Sequence, residues 1–238
     1  MNTQIINYQF SVFGNFIELN PKDSNKVIEL MELLKNGNFV PSTFGEIPIN
    51  AGKIVLNSRF SFSNSDGVVI NIGSERLDVI VEYNEDGKYS KMDYPSIKEQ
   101  AMEYIKTILN KYKNPINRIA LNGTIIYDDN TTGKIEKVVL NDIAIPYYNE
   151  NKPMEWTQRF VYQLEKVYRK TINIGINLSK SKGKLTKKNE SIEFDNVLLG
   201  FDINTIYDKE ISYDIKEIND FFDISYRELK KVLNSIEE

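Results

Sequence analysis

Five lysines in one short segment are the most concentrated chemical signal in the sequence. They stand among Ser and Gly residues at Lys180, Lys182, Lys184, Lys187 and Lys188. Because lysine binds phosphate through its charge, this spacing predicts a loop that could contact a nucleic-acid backbone. The segment lacks arginine, and its nearest aromatic residue is Phe194. It therefore has few side chains that could recognise bases by hydrogen bonds or stack on them. A solvated hairpin tip is the alternative that we favour.

Charge is unevenly distributed along the 238 residues. The whole chain has 30 Lys and Arg against 34 Asp and Glu, a formal net charge of −4. Residues 190–238, which follow the basic segment, hold 13 acidic and 5 basic residues. The net charge argues against nucleic acid as the main partner, although a local basic segment can override it.

Two adjacent carboxylates, Asp128 and Asp129, follow a predicted strand, with Glu136 and Asp142 close behind. Carboxylates at a strand end suit a hard cation, because Mg²⁺ takes oxygen ligands. A Mg²⁺-dependent hydrolase is therefore one alternative for the function. The run from Asp128 to Gly133 is also typical of a polar turn, which we favour.

Three aromatic residues flank a proline-containing break in the second half of the chain. Tyr147, Tyr148 and Trp156 are of the types enriched at the centres of protein interfaces. They could form an exposed anchor for a protein partner. Burial in the core is the alternative that we favour.

The composition excludes several classes of chemistry. The chain has no His and no Cys, which excludes zinc sites built on these ligands, Ser-His-Asp and Cys-His triads, and haem ligation. Neither a Walker-type phosphate loop nor a Gly-x-Gly-x-x-Gly fingerprint is present in the sequence. We therefore predict no catalytic residues and no cofactor, and an enzyme is the less favoured class.

The sequence also bears on location. It has no run of 18 apolar residues, and its first residues lack the basic region and apolar core of a signal peptide. We expect a cytoplasmic protein without a membrane segment.

Hydrophobic periodicity predicts the elements that must position these residues. Ile, Tyr and Phe dominate the apolar residues and Ala is rare, which favours sheet. The first half is predicted to begin with a strand over 5–19, a helix capped by Asp23 or Ser24 and a structured loop over 37–52. An antiparallel meander over 53–83 follows. A helix from Ser96, with Ser96 and Glu99 as its capping box, and a strand over 118–127 complete this half.

The second half is harder to assign. Residues 128–170 fit either helix or strand, whereas 171–178 alternate as a clear strand. A basic loop, a strand over 192–207 and two short helices complete the chain. The two helices are expected to begin at Asp214 and Ser225, each with an acidic residue three positions later.

The predicted fold class is α+β, with antiparallel sheets and packed helices. Strands, an acidic turn and a capped helix occur between Val68 and Tyr112 and again between Ile172 and Ile236. This recurrence predicts two similar meander-plus-helix halves, at 1–130 and 131–238. One compact domain is the alternative.

Three short segments resemble a sporadically distributed, uncharacterised prokaryotic protein family of about this length. They are Val69–Leu77, Arg118–Asn122 and Leu199–Asn204, in the order found in that family. The chain departs from the family pattern at Ala120, where the family has Gly, and at Asn122, where it has a second Arg. The resemblance implies an α+β fold and no established activity, and members of this kind often belong to bacterial defence, toxin–antitoxin or mobile-element systems.

We therefore expect a non-catalytic binding or accessory protein that acts through protein–protein contacts. A nucleic-acid-binding protein that uses Lys180 to Lys188 is the first alternative, and the Mg²⁺-dependent hydrolase is the second. The sequence leaves the oligomeric state open.

Overall fold

A computed structural model describes residues 3–47, 56–82, 93–142, 153–167, 170–187 and 190–237. The strands are β1 (Thr3–Gly14), β2 (Val40–Glu46), β3 (Asn57–Ser63), β4 (Val68–Ile72), β5 (Arg76–Glu82), β6 (Ile116–Tyr127), β7 (Trp156–Val167), β8 (Lys170–Lys187) and β9 (Glu190–Thr205). The helices are α1 (Ser24–Leu33), α2 (Tyr94–Tyr112), α3 (Asp129–Asp142) and α4 (Ile215–Glu237). Within these ranges, no helix combines the length and the apolar composition needed to cross a bilayer.

The strands form one open antiparallel sheet of nine strands in the order β2-β3-β4-β5-β1-β6-β9-β8-β7. The N-terminal strand β1 lies at the centre, between β5 and β6. Strand β6 pairs in turn with β9, which is distant in sequence. The structure thus confirms the predicted α+β class with antiparallel pairing.

One face of the sheet carries the hydrophobic core. Alternate residues of each strand point to the same side, so Phe10 of β1 lies between Val79 of β5 and Leu121 of β6. Helices α2 and α4 cover this face, and the Tyr94 hydroxyl of α2 donates a hydrogen bond to the Phe222 carbonyl of α4 at 2.8 Å. The aromatic rings in contact here are Tyr8, Phe10, Tyr94, Phe201, Phe222 and Tyr226.

Helix α1 confirms its prediction, whereas α2 begins earlier than expected. The Asp23 carboxylate caps α1 by accepting from the Asn25 N–H at 3.0 Å. In α2 the N-cap is Asp93, whose carboxylate accepts from the Ser96 N–H at 3.1 Å. Ser96 is therefore inside the first turn, and the predicted capping box was wrong because Asp93, two residues before Pro95, takes the cap position.

The C-terminal region is a single helix, α4, where the sequence predicted two. The capping box at Asp214 is confirmed, since the Asp214 and Glu217 side chains each accept from the other residue's N–H, at 2.7 and 3.0 Å. Ser225 does not start a second helix. Its hydroxyl donates to the Phe221 carbonyl one turn earlier at 2.8 Å, so the helix continues through it.

Two segments predicted as loops are strands. Strand β2 lies within the expected loop at 37–52, and it is a largely exposed edge strand, so its sequence has no apolar alternation. Pro41 is tolerated there because an edge strand leaves some N–H groups unpaired.

The basic segment up to Lys187 is the end of β8, which pairs with β9 as far as Glu190. In the ambiguous region, residues 129–142 form α3 and residues 156–167 form β7.

Candidate binding groove on the open face of the sheet

The face of the sheet opposite the helices is polar. In β1, Asn7, Gln9 and Ser11 alternate with the core residues Tyr8 and Phe10 and so point to this second face. The neighbouring strands β6, β8 and β9 also present polar residues there. We call this side the open face.

A groove of about 410 Å³ lies on the open face over strands β1, β6, β9, β8 and β7. Its floor passes over Gly175 and Gly200, where the backbone has no side chain. A Cβ atom added at Gly200 would meet nothing nearer than Asn177 at 3.8 Å. The polar residues that line the groove are Asn7, Gln9, Asn122, Thr124, Arg159, Asn177 and Asp202.

The strand register explains how residues distant in sequence meet in this groove. Asp202 of β9 faces Asn122 of β6 on one side and Gly175 of β8 on the other. One pleat further along, Gly200 faces Thr124 and Asn177. The two glycines therefore leave a gap bordered by amide, hydroxyl and carboxylate groups.

A chain of side-chain hydrogen bonds orients Asp202. Gln163 donates to Asn173 at 2.8 Å, and Asn173 donates to Asn204 at 3.3 Å. Asn204 then donates to the Asp202 carboxylate at 2.9 Å. Each of the three amides donates to the next group in the series, so each hydrogen bond polarises the next one toward the carboxylate.

Two acceptors in the groove lack a hydrogen-bond partner among the described residues. The Oδ1 atoms of Asn122 and Asn177 are shielded from solvent and receive no hydrogen bond from that part of the chain. An unpaired buried acceptor is costly, at about 1–3 kcal/mol.

A second carboxylate, Asp78 of β5, lies on the same face outside the groove. It accepts from the Ser11 hydroxyl at 2.6 Å and pairs with the Arg76 guanidinium at 2.8 Å. Ser11 also accepts from the amide of Gln9, which lines the groove. Burial raises the pKa of the Asp78 carboxyl above its ordinary 3.8, and Arg76 and Ser11 only partly offset this.

The raised pKa of Asp78 predicts a pH dependence of stability. The folded protein binds the Asp78 proton more tightly than the unfolded chain, so its contribution to stability falls as pH rises from 3.8 through the raised pKa. We compare the free energies of unfolding of the wild type and of Asp78→Asn at each pH. The wild-type value minus the variant value is expected to be larger at about pH 4 than at neutral pH. Urea titrations at both values measure it. A difference that is constant, or that moves the other way, contradicts the assignment.

Two of the five lysines singled out by the sequence form ion pairs. Lys180 lies 2.6 Å from Glu136 of α3 and 3.7 Å from Asp195, and Lys182 lies 3.1 Å from Asp195. The hydrogen bond to Glu136 raises the pKa of Lys180. Lys188 and the side chains of Lys184 and Lys187 are outside the described residues. Nucleic-acid binding by this segment stays a prediction.

The two carboxylates proposed for a metal lie at the start of α3. The Asp128 carboxylate accepts from the Thr131 N–H at 2.7 Å, and Asp129 accepts from the Asn196 amide at 2.9 Å. Among the described residues, no group of three or more acidic side chains is placed to hold a metal ion. The Mg²⁺ site therefore stays a prediction, without a third ligand in the part of the chain that the structure describes.

The aromatic residues proposed as an anchor are described only in part. Trp156 begins β7 and packs partly buried against the core, and its indole N–H has no hydrogen-bond partner among the described residues. Tyr147 and Tyr148 lie outside the described residues. On the same edge strand, Phe160 and Val161 are about half exposed, at 47% and 56%.

Sequence reasoning missed the groove. Its residues come from five strands, and none of them forms a compact motif in the chain. The available signal was the polar half of each alternating strand, such as Asn173, Gly175 and Asn177 between buried isoleucines. That pattern indicates a polar face but not which strands adjoin.

Comparison of the chain with models of protein families, with curated proteins and with solved structures finds no match. The chemistry of the groove must therefore be inferred from its own residues.

Proposed function

We propose that this chain is a non-catalytic binding protein that acts through protein–protein contacts, and that the groove receives an extended polypeptide segment of the partner. The observation that carries this proposal is the lining of side-chain amides over a floor of two glycines. A side-chain amide offers one acceptor and a donor group, which is the same set that each peptide unit presents.

The shape of the groove supports an extended ligand. Asn7, Asn122 and Asn177 stand on three different strands, so their amides are spread across the sheet rather than gathered at one point. A polypeptide that crosses the strands can pair its backbone groups with successive amides. Arg159 and Asp202 add one charge of each sign and favour a segment with complementary charges.

We also propose that the chain consists of two similar halves. The order strand, helix, meander and helix occurs from β1 to α2 and again from β6 to α4. Strand β1 pairs with β5, the last meander strand of its half, and β6 pairs with β9, the last of its own. The antiparallel pair β1–β6 joins the halves, so the order β5-β1-β6-β9 is symmetric about its centre. In this proposal the boundary between the halves lies at residues 113–115, between α2 and β6, rather than after residue 130 as the sequence predicted.

Selection of random peptides displayed on phage tests the function. We expect the wild type to enrich peptides whose affinity falls at least about tenfold on Gly200→Val, because a branched side chain fills the groove floor. A Cβ atom at Gly200 meets nothing nearer than 3.8 Å and valine suits a strand, so we expect the variant to keep its stability. Calorimetric titration of the selected peptides measures the loss.

The matched control is Ser61→Val, which places the same valine side chain on the open face of β3, five strands from β9. It is expected to leave peptide affinity unchanged. Enrichment of no peptide, or of peptides that bind Gly200→Val as tightly as the wild type, overturns the proposal.

A further inference from the structure

The two proposed halves differ at one position that bears on what the groove binds. Asp78 faces Ser11, the residue after Phe10 at the centre of the sheet. Leu121 of β6 is the partner of Phe10 in the β1–β6 pair. Asp202 faces Asn122, the residue after Leu121. The two aspartates therefore occupy equivalent places in β5 and β9.

The residue two positions before each aspartate is different. In β5 it is Arg76, whose guanidinium pairs with Asp78 at 2.8 Å. In β9 it is Gly200, which leaves the place of that guanidinium empty. The first half thus supplies its own cation, whereas the second half has an open groove beside its aspartate.

Three acceptor groups line the groove that passes over Gly200. Asp202 is an exposed carboxylate, and the Oδ1 atoms of Asn122 and Asn177 receive no hydrogen bond from the described residues. A guanidinium offers five N–H donors in one plane and no acceptor. It can bind the exposed Asp202 carboxylate through two parallel hydrogen bonds, a geometry that a single ammonium group does not offer.

We propose that the groove recognises an arginine side chain of the partner polypeptide, which occupies over Gly200 the place that Arg76 holds in the first half. This inference rests on the proposed function, since it names the chemistry of the segment bound in the same groove. Arg159 faces Asn177 on the far side of the groove, one strand beyond β8. It favours an acidic residue near the arginine in the bound segment.

The experiment uses the peptides selected on the wild-type protein. We expect arginine at one fixed position of the binding peptides. Replacement of that arginine by citrulline, which keeps the shape and removes the charge, should weaken binding at least about tenfold, as expected for loss of a charge-assisted hydrogen bond. Asp202→Asn should cause a similar loss, and Glu75→Gln, which removes an exposed carboxylate at the β4–β5 turn, should cause none.

Combining the two changes identifies the contact. If the arginine binds Asp202, citrulline and Asp202→Asn together lose little more than either alone, because both remove one interaction. Peptides that need Gly200 but contain no fixed arginine, or that tolerate citrulline, overturn this inference and leave the proposed function in place. Peptides that bind regardless of Gly200→Val overturn the proposed function itself.

Discussion

Replacement of Phe10 by alanine is expected to destabilise the fold by about 3–5 kcal/mol, the range for loss of a buried aromatic side chain. Phe10 is fully buried on the central strand. Its ring lies 5.0 Å from that of Phe222 in an edge-to-face arrangement and 6.0 Å from that of Tyr94. The substitution therefore leaves a cavity where the sheet, α2 and α4 meet, and urea denaturation measures the loss.

Phe13→Ala is the matched control for Phe10→Ala. Phe13 is on the same strand but on the open face, half-buried between two guanidinium groups. Those of Arg118 and Arg76 lie 4.8 and 5.9 Å from its ring centre. Its removal is expected to cost about 1–2 kcal/mol, the sum of partial burial and an exposed cation–π contact. Equal losses for the two variants would contradict the assignment of the two faces.

Gly123→Ala is expected to destabilise the protein by about 2–3 kcal/mol or more, as overpacking in a rigid core does. Gly123 lies on β6 beneath the groove. A Cβ atom there would lie 2.5 Å from the Asn7 carbonyl oxygen and would also overlap the Phe201 ring. Because the oxygen belongs to the backbone of the neighbouring strand, β1 and β6 would have to separate at the centre of the sheet.

The control for Gly123→Ala is Gly200→Ala on the neighbouring strand. The added methyl group has free space at Gly200, and alanine restricts the unfolded chain, so we expect a gain of about 0.4–1 kcal/mol. Thermal unfolding of both variants measures the contrast. A loss at Gly200 as large as that at Gly123 would show that the groove floor is not open.

The elements that the sequence predicts well are those that local physics determines. Residues 171–178 alternate between apolar and smaller or polar residues, and residues 68–72 are a short run rich in Val and Ile between two turn signals; both are strands. Asp214 and Glu217 form the predicted capping box because both partners lie within one turn. Strand β2 was missed because an edge strand is exposed on both faces and shows no alternation.

The extent of α4 could not be predicted from the same local rules. Ser225 with Glu228 has the spacing of a helix start, but the Ser225 hydroxyl bonds back to the preceding turn inside a continuous helix. The choice between these two states depends on burial, since Phe222 and Leu229 on either side of Ser225 both pack into the core. Tertiary packing therefore overrides the local signal.

The sequence by itself determined the antiparallel α+β class, the lack of histidine and cysteine chemistry, and the polar face of each strand. Only the tertiary structure decided which of those faces adjoin. The chain places β6 beside β9, so Asn122 meets Asp202 and Thr124 meets Gly200 across a long separation in sequence. Strand pairing depends on long-range contacts that no local pattern encodes. The groove exists because two glycines on paired strands, Gly175 and Gly200, lie diagonally across the β8–β9 pair.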